Sequence, residues 1–87
     1  MKAVVMYSTP SCPYCIKAKQ LLNLKNIAFE DINVEDNPKL RAIMQERSGR
    51  KSVPQIFIAD QAIGGCDDLY ALDEAGQLDK LLNEEEK

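Results

Sequence analysis

Two cysteines three positions apart, in Ser11-Cys12-Pro13-Tyr14-Cys15, are the residues best suited to chemistry. Such a pair closes to a small disulfide ring or opens to a dithiol. An apolar run, Ala3-Val4-Val5-Met6-Tyr7, precedes it, and a helix-like run from Ile16 to Lys25 follows. Cys12 is therefore expected at a strand-to-helix turn, with Pro13 at the first helical position, where a missing N–H costs nothing. There the Cys12 sulfur faces the free N–H groups and the positive dipole end of the helix, which favour a thiolate. The thiolate is the reactive form, and Cys-x-x-Cys pairs at helix N-termini are where cysteine pKa values fall. Cys15, one turn inside the helix, is expected to be more covered and less ionised. Cys12 attacks and Cys15 resolves.

Other uses of the pair fare worse. Structural zinc takes four Cys or His ligands. With three cysteines and no histidine, the chain cannot complete such a site by itself, so no metal is expected. The lack of histidine also removes the Cys–His pair of cysteine proteases. A purely structural bridge between near neighbours closes too short a loop to stabilise much. A redox pair is the reading that fits the motif and its placement.

The elements that must hold these thiols belong to one domain over residues 1–87, near the size at which a single core suffices. Apolar residues make up 45% and charged residues 29%, a balance typical of globular domains rather than disordered chains. A net charge of −3 offers no nucleic-acid footprint. The longest apolar run is too short to cross a bilayer, and no secretory signal is evident. An odd cysteine count suits a reducing compartment, so a cytoplasmic location is expected.

The opening strand, Met1 to Tyr7, is apolar on both faces and so expected in the centre of a covered sheet. In the first helix Cys15, Ala18, Leu21 and Leu22 form the inward stripe, with Lys17, Gln20 and Lys25 off it, and Lys25-Asn26 ends it. Ile27 to Val34 reads as a second strand, parallel to the first through a right-handed crossover. Asp36-Asn37-Pro38 starts a second helix with Leu40, Ile43, Met44 and Arg47 on one stripe, stopping at Ser48-Gly49. Met44 reads as core filler, and Arg50-Lys51-Ser52 as a basic turn. Ile56–Ala59 and Gln61–Ile63 form a hairpin, with Pro54 just ahead of it. After Gly64-Gly65, the acids of Cys66-Asp67-Asp68 open a helix whose Leu69 and Leu72 face inward. Gly76 ends that helix, Leu78, Leu81 and Leu82 line a last amphipathic turn, and residues 84–87 are expected to be frayed.

Three separated motifs, Cys12-Pro13-Tyr14-Cys15, Ser52-Val53-Pro54-Gln55-Ile56-Phe57-Ile58 and Gly64-Gly65-Cys66-Asp67-Asp68-Leu69, make the chain resemble the dithiol glutaredoxins, in particular their small bacterial type. The resemblance spans about residues 2–82. It implies an α/β, thioredoxin-like fold: a four-stranded mixed sheet of order 2-1-3-4 with helices on both faces. The first two strands would be parallel and the hairpin antiparallel to them. It also implies a cis Val53-Pro54 bond, a minority state kept only where a fold demands it.

Carried over residue by residue, the family pattern makes Cys12 the nucleophile and Cys15 the resolving thiol. Tyr14 would pack beside a glutathionyl group, and the backbone of Val53, ahead of Pro54, would pair with the tripeptide in strand fashion. Arg41 stands where the family holds the glycine carboxylate, and Asp67 near the γ-glutamyl ammonium. The Cys66 N–H would meet the γ-glutamyl carboxylate at a helix N-terminus. Each residue also has a plainer use: Arg41 on a polar helix face, Asp67 and Asp68 as helix-start acids, Tyr14 as an exposed ring, Cys66 as a buried packing group. For Cys66 the packing use is preferred over a catalytic thiol. The sequence departs from the family at Thr9, which occupies the place of a lysine that helps hold the thiolate and a glutathione carboxylate.

The function implied is glutathione-dependent thiol–disulfide exchange, by a monothiol route on glutathione mixed disulfides and a dithiol route on protein disulfides. Glutathione is a co-substrate and no tightly bound cofactor is expected. The partners implied are glutathione and glutathionylated or disulfide-containing client proteins, with no nucleic acid or membrane, and the protein acting as a monomer. One rival is a thioredoxin-type reductase, which Arg41 and the Gly64–Asp68 segment disfavour because a thioredoxin has no tripeptide to hold. Another is an iron–sulfur glutaredoxin dimer, disfavoured by the bulk of Pro13 and Tyr14.

Overall fold

The computed structural model describes residues 2–83. The chain runs β1 (Val4–Ser8), α1 (Pro13–Leu24), β2 (Glu30–Asn33), α2 (Pro38–Ser48), β3 (Gln55–Ile58), β4 (Gln61–Gly64), α3 (Cys66–Glu74) and α4 (Gln77–Asn83). The sheet order is β2-β1-β3-β4, as the family resemblance implies. β1 pairs parallel with β2 and antiparallel with β3. Because β4 runs antiparallel to β3, it returns in the direction of β1. Only β3 of the hairpin opposes the first two strands, which corrects the expectation for the pair.

Side chains leave β1 on alternate faces, and each face builds its own core. Val4 and Met6 join Ala18, Leu21 and Leu22 of α1, Ile56 and Ile58 of β3, and Leu69, Leu78 and Leu82 of α3 and α4. Tyr7 on the opposite face meets Phe57, Val34 and Met44, so α2 covers that side. The rings of Tyr7 and Phe57 meet edge to face at 5.6 Å. Met44 is fully buried, as core filler should be. Helices thus lie on both faces of the sheet.

The caps follow the sequence closely. The Asn37 side chain accepts from the Leu40 N–H at 3.1 Å, Pro38 begins α2, and Gly49 ends it with φ 76°. Asn26 takes φ 57° just past α1. Gly76 takes φ 73° after α3, in the expected place.

Two further expectations need correction. β2 covers only Glu30–Asn33, because Ile27 and Phe29 pack on the core from the preceding loop and leave the strand itself a mostly exposed edge. Ile43, placed on the inner stripe of α2, is 44% exposed. Its neighbour Arg47 lies with its guanidinium 5.1 Å from the Phe57 ring centre and donates to Asp60 in the hairpin turn at 3.1 Å. The start of the first strand at Met1 and the frayed tail at 84–87 lie outside the described residues.

Candidate active site

Strand β1 ends at Ser8, and four residues later Cys12 becomes the N-cap of α1 with extended backbone (φ −82°, ψ 119°). Its carbonyl accepts from the Ile16 N–H at 3.0 Å, which closes the first helical turn. Its sulfur takes the place usually held by a serine or aspartate oxygen, accepting from the Cys15 N–H at 3.4 Å. Pro13 follows at the first helical position, as the sequence predicts.

Burial alone would raise the pKa of the Cys12 thiol. The Cys15 backbone N–H, the Cys15 side chain and the Tyr14 N–H outweigh it, so the thiol is held below its ordinary value. Cys15, fully buried on the inner face of α1, behaves oppositely. Burial pushes it up to about 11, helped by its bond to Cys12 and the charge there, against lowering by the Thr9 backbone and by Lys19. One thiol is poised to ionise and the other to stay protonated. Thr9 itself is nearly buried, and its carbonyl accepts from the Cys12 N–H at 3.4 Å. Backbone donors thus lower the Cys12 thiol in a chain that has no lysine at position 9.

Across from Cys12 stands the loop before β3. The Val53-Pro54 bond is cis, and the Val53 carbonyl lies 3.8 Å from the Cys12 sulfur. Gln55, buried at the start of β3, donates its side-chain amide to the carbonyl of Ser52 at 3.0 Å and to its hydroxyl at 3.3 Å. This anchors the loop that presents Val53.

An open cleft of about 240 Å³ runs between this loop and the start of α3, lined by Tyr14, Arg50 and Ser52–Pro54 on one side and Gly65–Asp68 on the other. Tyr14 is 60% exposed at its edge. A side-chain carbon at position 65 would come within 3.3 Å of the Pro54 carbonyl, so Gly65 lets the two walls approach. Asp68 accepts from the Gly65 N–H at 2.9 Å and from Arg50 at 3.0 Å. Those two donors, Gly65 first, lower its pKa against the small opposing effect of burial. Cys66 is buried in the core, and burial raises its thiol, with lesser contributions from Asp67 and Cys12 against Lys17. It is a packing group with its backbone at the cleft.

The structure therefore gathers Tyr14, Val53, Pro54, Cys66 and Asp67 around one cleft, with Cys12 beside Val53 and Cys15 beneath Cys12. Arg41 is not among the lining residues; it is half-buried in the first turns of α2. The cation on the cleft wall is Arg50, read from sequence as part of the basic turn that leads into Val53-Pro54. Asp68 and Gln55 were likewise not singled out as ligand-shaping groups. The Arg50–Asp68 contact joins residues 18 apart and leaves no local pattern, whereas the Gly65–Asp68 cap and the Gln55–Ser52 contact each span three residues.

The glutaredoxin family model matches residues 4–63. Glutaredoxin 3 of Escherichia coli K12 is 52% identical over 82 residues, covering 94% of this chain and 99% of that protein. The solution structure of glutaredoxin from Brucella melitensis superposes with a TM-score of 0.83 at 55% identity, covering 94% of this chain and 89% of that one. The crystal structure of a buckwheat glutaredoxin–glutathione complex gives a TM-score of 0.87 at 27% identity, covering 95% and 78%. Motifs, thioredoxin-like topology and relatives agree, and the chain belongs to the glutaredoxin family of glutathione-dependent thiol–disulfide oxidoreductases.

Proposed function

We propose that Cys12 is the nucleophile of this exchange, Cys15 the resolving thiol, and the cleft beside Val53 the seat of glutathione. The observation that carries the reading is the Cys15 N–H aimed at the Cys12 sulfur while the Cys15 sulfur is itself fully buried. In the monothiol route the Cys12 thiolate attacks the glutathionyl sulfur of a mixed disulfide. The client sulfur leaves as a thiolate and takes up a proton. A second glutathione thiolate then attacks the glutathionyl sulfur on Cys12, oxidised glutathione departs, and the Cys12 thiolate returns. In the dithiol route Cys12 attacks a client disulfide, and Cys15 displaces the client thiolate to form the Cys12–Cys15 disulfide. Two glutathione molecules then reduce that bond. Both routes pass through mixed disulfides, with rates set by thiolate fraction and leaving-group pKa.

The same reading gives each cleft group a task. The main chain of Val53 offers a short strand-like edge to the tripeptide. The N–H groups at the start of α3 suit a carboxylate, and Asp67 suits an ammonium. Tyr14 covers the sulfur end. Arg50 is placed for the second carboxylate, with Arg41, from α2, the alternative the family pattern names. The glutathione complex of the buckwheat relative supports this use of the fold. Turnover on glutathione fits a monomer in a reducing compartment such as the cytoplasm, acting on glutathionylated or disulfide-bearing proteins.

The test is to expose the Cys15→Ser variant to oxidised glutathione and locate the adduct by peptide mass spectrometry. One glutathionyl group on Cys12, with Cys66 unmodified, is expected. An adduct on Cys66 in place of Cys12, or none, contradicts the assignment.

A further inference from the structure

A three-residue polar chain sits behind the resolving thiol. Cys15 and Lys19 are four apart on α1 and share a helix face. The Lys19 ammonium is 2.8 Å from the Asp31 carboxylate on β2. Asp31 in turn accepts a short hydrogen bond from the hydroxyl of Ser8, which is buried at the end of β1. Asp31 stands opposite Met6 in the parallel register, and Met6 points into the core under α1, so Ser8 and Asp31 turn toward that same helix. A flexible lysine is thereby tethered on the side of α1 that carries Cys15, and only 26% of its side chain is exposed.

We propose that Lys19, held there by Asp31 and Ser8, is a positioning residue for the resolving step, its ammonium being the fixed positive charge against which the buried Cys15 sulfur becomes a thiolate. The proposal rests on Cys15 being the resolving thiol. In the resolving step the Cys15 thiol gives its proton to solvent, and its sulfur attacks Cys12. The Cys12–client bond breaks, and the client thiolate leaves and is protonated.

The balance of groups acting on Cys15 shifts at that moment. They are the Cys12 sulfur at the N-cap, the Thr9 backbone in the preceding loop, and Lys19 on α1 itself, with Asp31 of β2 and Ser8 of β1 acting through Lys19. In the free dithiol, burial first of all, and then the hydrogen bond with Cys12 and the charge on Cys12, keep the proton on Cys15. Once Cys12 is bound in a mixed disulfide, its charge is gone. The Thr9 backbone and the Lys19 charge, both of which favour release of the proton, remain. The arrangement holds Cys15 protonated while Cys12 waits for substrate, and after attack only burial still opposes release of the proton.

Stopped-flow mixing of the reduced protein with a chromogenic symmetric disulfide separates the two events. The first thiol is released by Cys12 and the second by Cys15. With Lys19→Met, the second phase is expected to slow about three- to tenfold near neutrality, the effect of losing one partly screened charge, and its pH midpoint to rise. The first phase should keep its pH profile. Lys19→Arg, which keeps the charge, should restore the second phase. An unchanged second-phase profile in Lys19→Met, a parallel change in both phases, or an arginine variant as slow as the methionine one would overturn the proposal. A wild-type protein with no second phase would instead remove the resolving role of Cys15, and the proposal with it.

Discussion

The backbone N–H of Cys15 lies 3.4 Å from the sulfur of Cys12, so the residue that stabilises a Cys12 thiolate is also the one whose thiol is proposed to attack the Cys12–client disulfide. A pair at this spacing can do so only at a helix start, where the N–H groups are still without intrahelical partners. The two sulfurs consequently ionise in separate pH ranges.

Alkylation against pH reads that separation. Cys12 should react with iodoacetamide at pH values below the ordinary thiol range, whereas Cys15 should stay unreactive until the pH approaches about 11. The linked effect on folding has opposite signs. Cys12, lowered in the fold, contributes stability above its ordinary pKa that is lost as pH falls through the folded value. Cys15, raised in the fold, contributes stability below its ordinary pKa that is lost as pH climbs toward 11. Denaturant melts of wild type and Cys15→Ser should therefore diverge less at alkaline than at neutral pH. A constant difference across that window would argue against the raised Cys15 thiol.

Arg50 and Arg41 offer a direct choice between a cation on the cleft wall and one named by family pattern. Arg50→Ala should raise KM for a glutathionylated peptide about five- to tenfold, in keeping with a solvent-screened charge contact worth about 1 kcal/mol. A small disulfide lacking glutathione should react with that variant at the wild-type rate. Arg41→Ala should have the smaller effect on the glutathionylated peptide. The reverse order would return the carboxylate contact to Arg41.

Gly64 and Asp68 are coupled by space. Gly64 has φ 118°, and a side-chain carbon there would collide with the Asp68 carboxylate. Gly64→Ala should cost about 1–3 kcal/mol from backbone strain alone, with the collision added. Asp68→Ala should cost only about 0.5–1 kcal/mol, because the Arg50 pair is half exposed and the lost Gly65 contact is a single helix cap. In the double variant the clash with the carboxylate is relieved, while the close approach to the position-68 Cβ, 2.9 Å, and the strained φ remain. Urea melts should therefore show the pair less destabilised than the sum of its parts; strict additivity would mean that the carboxylate does not crowd Gly64.

Much of this was legible in the sequence because it is local. The stripe Cys15, Ala18, Leu21 and Leu22 has helical period and is the buried face of α1. Asn37, Pro38 and Gly49 announce both ends of α2 through capping and backbone preferences. Legibility failed where tertiary packing overrode pattern. Ile27 and Phe29 look like strand residues but serve as loop anchors to the core, while the strand beside them is the polar edge Glu30–Asn33. At the site, motif spacing located Cys12 and Cys15, with Val53 and Asp67 supplied by the family resemblance. It could not locate Arg50, whose role on the cleft wall depends on Asp68 reaching it from another element.

The division of labour between the two thiols is tested most directly by one comparison. Wild type, Cys12→Ser and Cys15→Ser are each assayed with glutathione on a glutathionylated peptide and on a protein disulfide. Cys12→Ser should lose both activities, since no other thiol combines exposure with a lowered pKa. Cys15→Ser should keep the first activity and lose the second. Equal loss of deglutathionylation in the two variants, or retained activity in Cys12→Ser, would contradict the account.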